Sequence, residues 1–441
     1  MSTRQSGQPV ETEAADRRYV IYLIIIAVAG WSLASYDTNL LVLTLPDIKK
    51  DFGLSATLVG LLGFIVFAAE FFISLFIGYG MDQKGRKWMW IFCLAMAAVF
   101  TGLTVFVQNY WQLALVRAVA SGFAQAELAV SITLVNEQVP ARRRGMLYSV
   151  VQGGYPLGVF LASAVYLLTA SHGWRYVFLW GVVPLVVVAI GRVKIRESDR
   201  FLHVKAVREA TRAGDRERVD QLQRERPVDV EDLQKGSIRG LFATPGPVRN
   251  ALVRLSIVWL LYGTAFVAVN TYITVWLTSQ KGWSTDSVAV LLLVSGGIGY
   301  FFYLLGGALG ERFGRRNVLV VTGLLVGPLN LALLLTTNQV AVAIIYFLAF
   351  QATNGTWSGA GYSYQAESFP TRVRGTAIGW MSGMFVGGLV IGSLLWTILI
   401  DTTGATITWL VIGVVIGFLQ GISTFLLADI KPGQELEDIA I

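Results

Sequence analysis

The chain has 441 residues, 54% of them hydrophobic and only 14% charged, with a formal net charge of +7 at pH 7. Apolar residues in that proportion, gathered in runs of about twenty or more, exclude an ordinary soluble domain and point to repeated membrane crossing. The single cysteine, Cys93, excludes a disulfide framework and a thiolate metal site, and it reads as a buried bystander in an apolar run.

Residues 1–18 are polar with both charge signs, unlike a cleavable signal peptide, so a cytoplasmic tail before a retained first span is expected. Apolar windows of about 19–20 residues predict twelve helical spans. They lie near 19–43, 57–80, 88–107, 111–137, 145–169 and 174–193, then 251–278, 286–309, 317–336, 340–365, 374–399 and 406–428. The expected fold class is an all-α membrane protein with two six-helix bundles, 19–193 and 251–428. Between them, 194–250 carries 13 basic and 10 acidic side chains, with helix-period stretches at Phe201–Gly214 and Arg216–Glu225. It reads as a cytoplasmic linker whose charges are solvated or touch lipid headgroups, with regulatory docking as the other reading. Residues 429–441 form a second cytoplasmic tail.

With both termini inside, the Lys and Arg residues fall on the cytoplasmic side or its membrane edge. The exceptions are Lys49, Lys50, Arg175 and Lys281 outside, and Arg117 within the membrane. That is the positive-inside pattern. The basic balance therefore reports topology in a lipid bilayer, not a nucleic-acid partner.

The chain also repeats itself. Gly78-Tyr-Gly-Met-Asp82-Gln-Lys-Gly85-Arg86-Lys87 and Gly307-Ala-Leu-Gly-Glu311-Arg-Phe-Gly314-Arg315-Arg316 share the pattern G-x-x-x-[D/E]-x-x-G-R-[K/R], 229 residues apart. Glu137-Gln-Val-Pro-Ala-Arg-Arg-Arg144-Gly lines up with Glu367-Ser-Phe-Pro-Thr-Arg-Val-Arg374-Gly at an offset of 230. An internal duplication joined by basic hinges is the plan of a secondary transporter. The duplicated phrases are expected to form a cytoplasmic gate from Gly78, Asp82, Gly85, Arg86, Glu137, Arg144, Glu311, Arg315, Glu367 and Arg374. In it Asp82 and Glu311 would hold basic groups and a neighbouring helix N-terminus. Simple positive-inside anchoring explains the cations but not the paired acids.

Four ionisable residues lie away from the membrane edges: Asp37 in span 1, Glu70 in span 2, and Arg117 and Glu127 in span 4. Such groups are costly in hydrocarbon and mark pairing, water or function. Asp37 lies about six residues before the outer end of span 1 and Arg117 about six after the outer start of span 4. At ~1.5 Å per residue both sit near 9 Å below the outer surface, so a contact is expected. An Asp–Arg pair that separates during a conformational change can couple proton movement to transport. A static salt bridge is the competing reading. Glu127 and Glu70 are further proton-coupling candidates, each with a structural alternative. Neither His172 nor His203 lies within a span, so no intramembrane imidazole can relay protons.

These residues resemble the major facilitator superfamily over nearly the whole chain, the two G-x-x-x-[D/E]-x-x-G-R-[K/R] phrases matching its signature after spans 2 and 8. Within it the chain looks most like sugar porters and metabolite–proton symporters. Tyr36-Asp37-Thr38, the twenty-residue spacing of Arg117 and Glu137, Arg196-Glu-Ser-Asp-Arg-Phe-Leu202, and the tail after Asp429 carry that likeness. The resemblance implies that Asp37 works against Arg117, that Gln152 binds substrate, and that Tyr362 stands where many sugar porters have tryptophan. Gly122-Phe-Ala-Gln-Ala-Glu127-Leu-Ala resembles a G-x-E-L-P element, with Ala129 replacing the proline. The chain also departs from the pattern: Thr264 and Ala265 stand where hexose porters carry Gln-Gln, Ala34–Asp37 keeps one acid of D-G-[FY]-D, and Gly153–Gly158 lacks the Gly-Pro step of drug antiporters.

The implied machine holds a small-molecule substrate, with H+ as co-substrate, between two rigid halves. Candidate lining residues are Gln152, Tyr155, Tyr262, Asn270, Tyr272, Asn354, Trp357, Tyr362 and Trp380, with packing or interface anchoring as the alternative for each aromatic. An anionic substrate would need Arg117 or helix N-termini, since no second mid-membrane cation is read. The expected function is proton-coupled uptake of a sugar, polyol, or small organic or aromatic acid. A proton-independent facilitator, an efflux antiporter and a transceptor are the alternatives. No nucleophile–base–metal constellation suggests an enzyme, and no cofactor or metal is expected. The expected setting is the cell inner membrane, with the protein acting as a monomer.

Overall fold

The computed structural model describes residues 9–138, 150–225, 246–369 and 374–429, together with Phe242. Among these, the helical runs long and apolar enough to cross a membrane are Arg18–Asp51, Ala56–Met81, Arg86–Phe106, Tyr110–Val135, Val150–His172 and Trp174–Lys194. They continue with Val248–Thr271, Thr285–Phe313, Arg315–Leu335, Gln339–Gln365 and Thr376–Leu426. The last has 51 residues, about 75 Å if it ran straight. Gly404, at φ 83°, breaks it into 376–403 and 405–426. The described residues thus make twelve passes, numbered spans 1–12 below.

Lipid offers the backbone no hydrogen-bond partners, so each pass must satisfy its own amides as a helix. Ser55, Ser284 and Asn338 cap the starts of spans 2, 8 and 10 with side-chain oxygens. Between spans 2 and 3, and again between 8 and 9, a single glycine ends one helix and opens the next. Gly85 has φ 101° and Gly314 has φ 87°, a backbone that strains any residue with a Cβ. That requirement is one physical reason for the repeated phrase.

Span 1 packs on spans 4 and 5, span 7 on span 11, and span 9 on span 12. Span 2 against span 11 and span 5 against span 8 join the two halves. Phe72, Leu168, Phe301 and Leu335 are 68–78% exposed, a degree of apolar exposure suited to lipid and not to water. Three spans contain π-helical turns: Val267–Thr271 in span 7, Gln351–Trp357 in span 10 and Leu410–Val415 in span 12. Past span 6, Asp199–Ala213 and Arg216–Glu225 are helices joined at Gly214 and packed through Val207, Ala210 and Leu222. The side of the molecule bearing them is here the linker face. The opposite side, where residues 51–56 and 401–404 turn, is the far face.

Candidate functional site

A cavity opens between the two halves near mid-depth, and the space between its lining atoms totals about 700 Å³ including its mouth. Span 1 contributes Trp31, Ser35, Thr38, Asn39 and Val42, which recur with helical period on one face. Phe67 and Glu70 come from span 2, Gln125 from span 4, and Gln152 and Tyr155 from span 5. The second half supplies Tyr262, Phe266, Asn270, Tyr303, Asn354, Ser358, Tyr362 and Phe385. The π-turns of spans 7 and 10 bring Asn270 and Asn354 together: the Asn354 amide donates to Asn270 Oδ1 at 2.8 Å. Such turns re-aim side chains and recur at functional sites. Tyr262 hydroxyl and Ser358 Oγ share a hydrogen bond of 2.8 Å.

Behind this wall, inside the first bundle, Asp37 and Arg117 meet. Arg117 Nη2 donates to Asp37 Oδ2 at 2.8 Å and to its carbonyl at 3.1 Å, and Nη1 donates to Oδ1 at 3.2 Å. Neither side chain has any exposure. Thr101 Oγ1 from span 3 donates to Asp37 Oδ1, and the guanidinium lies over the Phe178 ring of span 6 at 5.1 Å. Four spans of one half therefore close around a single ion pair. Depth counting put these two residues at one level, and they are in contact.

Glu127 points elsewhere, into a second closed pair. Its carboxylate accepts from Arg192, at the end of span 6, and from Trp90 Nε1 at 2.7 Å. Arg192 also donates to the Trp90 carbonyl at 2.8 Å and stacks on the Trp90 ring at 4.2 Å. Both charges are fully buried. Span 1 comes within reach only because Gly30 lacks a side chain, since a Cβ there would overlap the guanidinium and the carboxylate. This corrects the expectation of a lone intramembrane cation. A 3-10 turn over Arg192–Lys194 ends span 6 and directs Arg192 inward, where counting along the chain left it at the cytoplasmic edge. In the second repeat the place of Glu127 is taken by Trp357, packed on Trp259 and Tyr262.

On the linker face, Arg315 pairs with Glu367 at 2.5 Å. Arg86 donates to the Met81 carbonyl at 3.0 Å and lies over Phe201. The acid at the N-terminus of span 3 is Glu197, which accepts from the backbone amides of Arg86 and Lys87 at 3.0 and 3.1 Å. It lies in the Arg196–Leu202 phrase, outside the gate residues expected from the duplicated phrases. A carboxylate at a helix N-terminus meets both free amides and the positive dipole end. Glu311 is exposed and makes no ion pair among the described residues. Gly78 has open space around it. Arg144 lies outside the described residues, as do the side chains of Asp82, Glu137 and Arg374.

On the far face the two halves are bonded directly. Thr57 at the start of span 2 donates to Asp401 at the end of span 11. Tyr272 of span 7 donates to the Gly60 carbonyl at 3.0 Å and stacks on Trp396 at 4.4 Å. Tyr272 is therefore part of this seam and does not line the cavity. Trp357 lies behind Tyr262, stacked on it at 4.2 Å, as a second aromatic layer. Trp380 turns to the linker side, where its Nε1 donates to Ser256 at 2.8 Å and its ring meets Phe242. These three differ from the sequence expectation because helix position alone does not say which face a π-bulged neighbour leaves open. Gln152, Tyr155, Tyr262, Asn270, Asn354 and Tyr362 do line the cavity, as does Glu70, while Asp37, Arg117 and Glu127 do not. Trp31, Asn39, Gln125 and Ser358 were missed. The i, i+4, i+8 spacing of Trp31, Ser35 and Asn39 was a signal that could have found the first two.

The sequence matches the family described as Major Facilitator Superfamily over residues 26–358 and 298–438. Among similar proteins are the cis,cis-muconate transport protein of Acinetobacter baylyi, 24% identical over 78% of this chain and 78% of that one. The niacin transporter of the same organism is 26% identical over 82% and 83%. A solved D-xylose-proton symporter aligns with a TM-score of 0.73 at 17% identity, covering 95% of this chain and all of that one.

Proposed function

The chain belongs to the major facilitator superfamily, and from that premise we propose proton-coupled uptake of a small, ring-sized organic solute by alternating access. It is a multi-pass membrane transporter. The observation carrying the proposal is the cavity between the halves backed, in the first half alone, by the buried pair Asp37–Arg117. Leaving either charge unpaired in that setting is costly, so separation of the pair favours protonation of Asp37. Movement of spans 1 and 4 against each other within the first half during alternating access would separate the pair and so tie proton uptake to solute movement. The aromatic rings in the lining favour a ring over an open-chain polyol. The relatives' names, a muconate carrier and a niacin carrier, support a solute of that size.

In this reading the linker face is cytoplasmic, both termini are inside, and the protein works as a monomer in the cell inner membrane. The Thr57–Asp401 and Tyr272–Gly60 contacts then form the outer gate. The duplicated phrases, with Arg315–Glu367 and Glu197 at the span 3 N-terminus, form the inner one. Proteoliposomes holding a pH-sensitive dye test the coupling. Solute added outside should acidify the lumen, whereas solute flux without proton movement would mean a facilitator, and neither flux nor proton movement would mean a receptor.

A further inference from the structure

Taking the cavity as the solute site proposed above, we infer that it selects a ring-bearing organic cation, a protonated amine or nitrogen heterocycle, over a carboxylate, with Glu70 as counter-ion. Among the described residues lining the cavity there is no Lys, Arg or His, and Glu70 is the one carboxylate. Glu70 is 2% exposed and makes no hydrogen bond or ion pair among the described residues. The titratable groups that act on it or feel it are Arg117 on span 4, Asp37 on span 1 and Tyr155 on span 5. Arg117 is committed to Asp37 in a pair that stands outside the lining. Ionised, Glu70 therefore lacks a counter-charge that the protein does not supply, and a ligand cation supplies it.

The rest of the wall has the same preference. Tyr155 meets Trp31 and Phe266, and Tyr262 meets Phe266 and Phe385, with ring centroids 5.2–6.5 Å apart. Such a continuous aromatic surface attracts cations to its ring faces. Asn354 donates one amide hydrogen to Asn270 Oδ1, and the Asn270 amide donates to the Phe266 carbonyl. Asn354 Oδ1 is left buried without a partner. Glu70 and Asn354 Oδ1 both accept hydrogen bonds from a ligand N–H. A carboxylate would meet the like charge of Glu70 and no cation among the described lining residues.

The test is binding to the purified full-length protein in detergent, without any gradient, of three matched probes: benzylamine, benzyl alcohol and benzoate. Wild type should bind benzylamine about 10-fold or more tightly than either other probe, the scale of one charge-assisted contact. Glu70→Gln should erase that advantage. Benzoate as the tightest wild-type ligand would overturn the inference. If benzoate also tightened as pH fell, the site would instead be an acid pair sharing a proton with Glu70. Absence of benzylamine binding, or benzylamine binding unchanged by Glu70→Gln, would overturn it equally. The wild-type ranking stands even where the variant fails to fold. Equilibrium binding does not involve the Asp37–Arg117 pair, so failure here leaves the proton-coupling proposal standing, and the reverse also holds.

Discussion

Arg192 and Glu127 hold each other inside the first bundle with no exposure of either side chain, gripping Trp90 between them. The pair ties the end of span 6 to spans 3 and 4 and does not line the cavity. Breaking one side of a buried ion pair typically costs about 3–5 kcal/mol, because the other charge is left stranded. Glu127→Gln should therefore lower thermal stability in detergent strongly. The double variant Glu127→Gln with Arg192→Met should recover much of the loss. A recovered fold with normal uptake would assign the pair to structure.

Gly30 offers an independent route to the same pair. A methyl group there would overlap both the guanidinium and the carboxylate, and neither is the free end of a mobile chain. Gly30→Ala should lower the melting temperature comparably to Glu127→Gln, measured in the same detergent. Combined with Glu127→Gln it should add little, since residues sharing one network are not additive.

How much of this was legible in the chain differs from residue to residue. The twelve passes followed from apolar run lengths, including the break near residue 404, because bilayer thickness fixes helix length. The Asp37–Arg117 contact followed from depth, a quantity that rise per residue supplies. Arg192 did not, because the 3-10 turn that swings it inward leaves no mark on hydropathy. Tyr272, Trp357 and Trp380 were misplaced for a related reason. Depth says how far along a helix a side chain lies, but which way it faces depends on π-turns and neighbouring helices.

The far-face seam predicts a trap. Thr57 and Asp401 bond across the two halves, and the only native cysteine, Cys93, is fully buried. In a Cys93→Ala background, Thr57→Cys with Asp401→Cys should cross-link under mild oxidation and abolish uptake, with reductant restoring it. Full cross-linking without loss of uptake would show that this seam need not open.

Glu197 caps the first turn of span 3 through two backbone amides. Glu197→Ala should cost on the order of 1–2 kcal/mol locally, the usual worth of a cap reinforced by charge. Hydrogen exchange should rise at residues 86–89, while the melting temperature falls less than for Glu127→Gln. Unchanged exchange there would mean the amides find other partners.

Proton coupling through Asp37 is the central claim, and one comparison bears on it most directly. Proteoliposomes carrying wild type or Asp37→Asn are assayed for solute exchange at equal pH and for accumulation driven by an inward proton gradient. The substitution keeps the shape of the side chain while removing its charge and its capacity to bind a proton. Exchange should survive in Asp37→Asn and gradient-driven accumulation should vanish, with wild type showing both. Accumulation by Asp37→Asn at the wild-type level, or wild-type uptake indifferent to the gradient, would contradict the account.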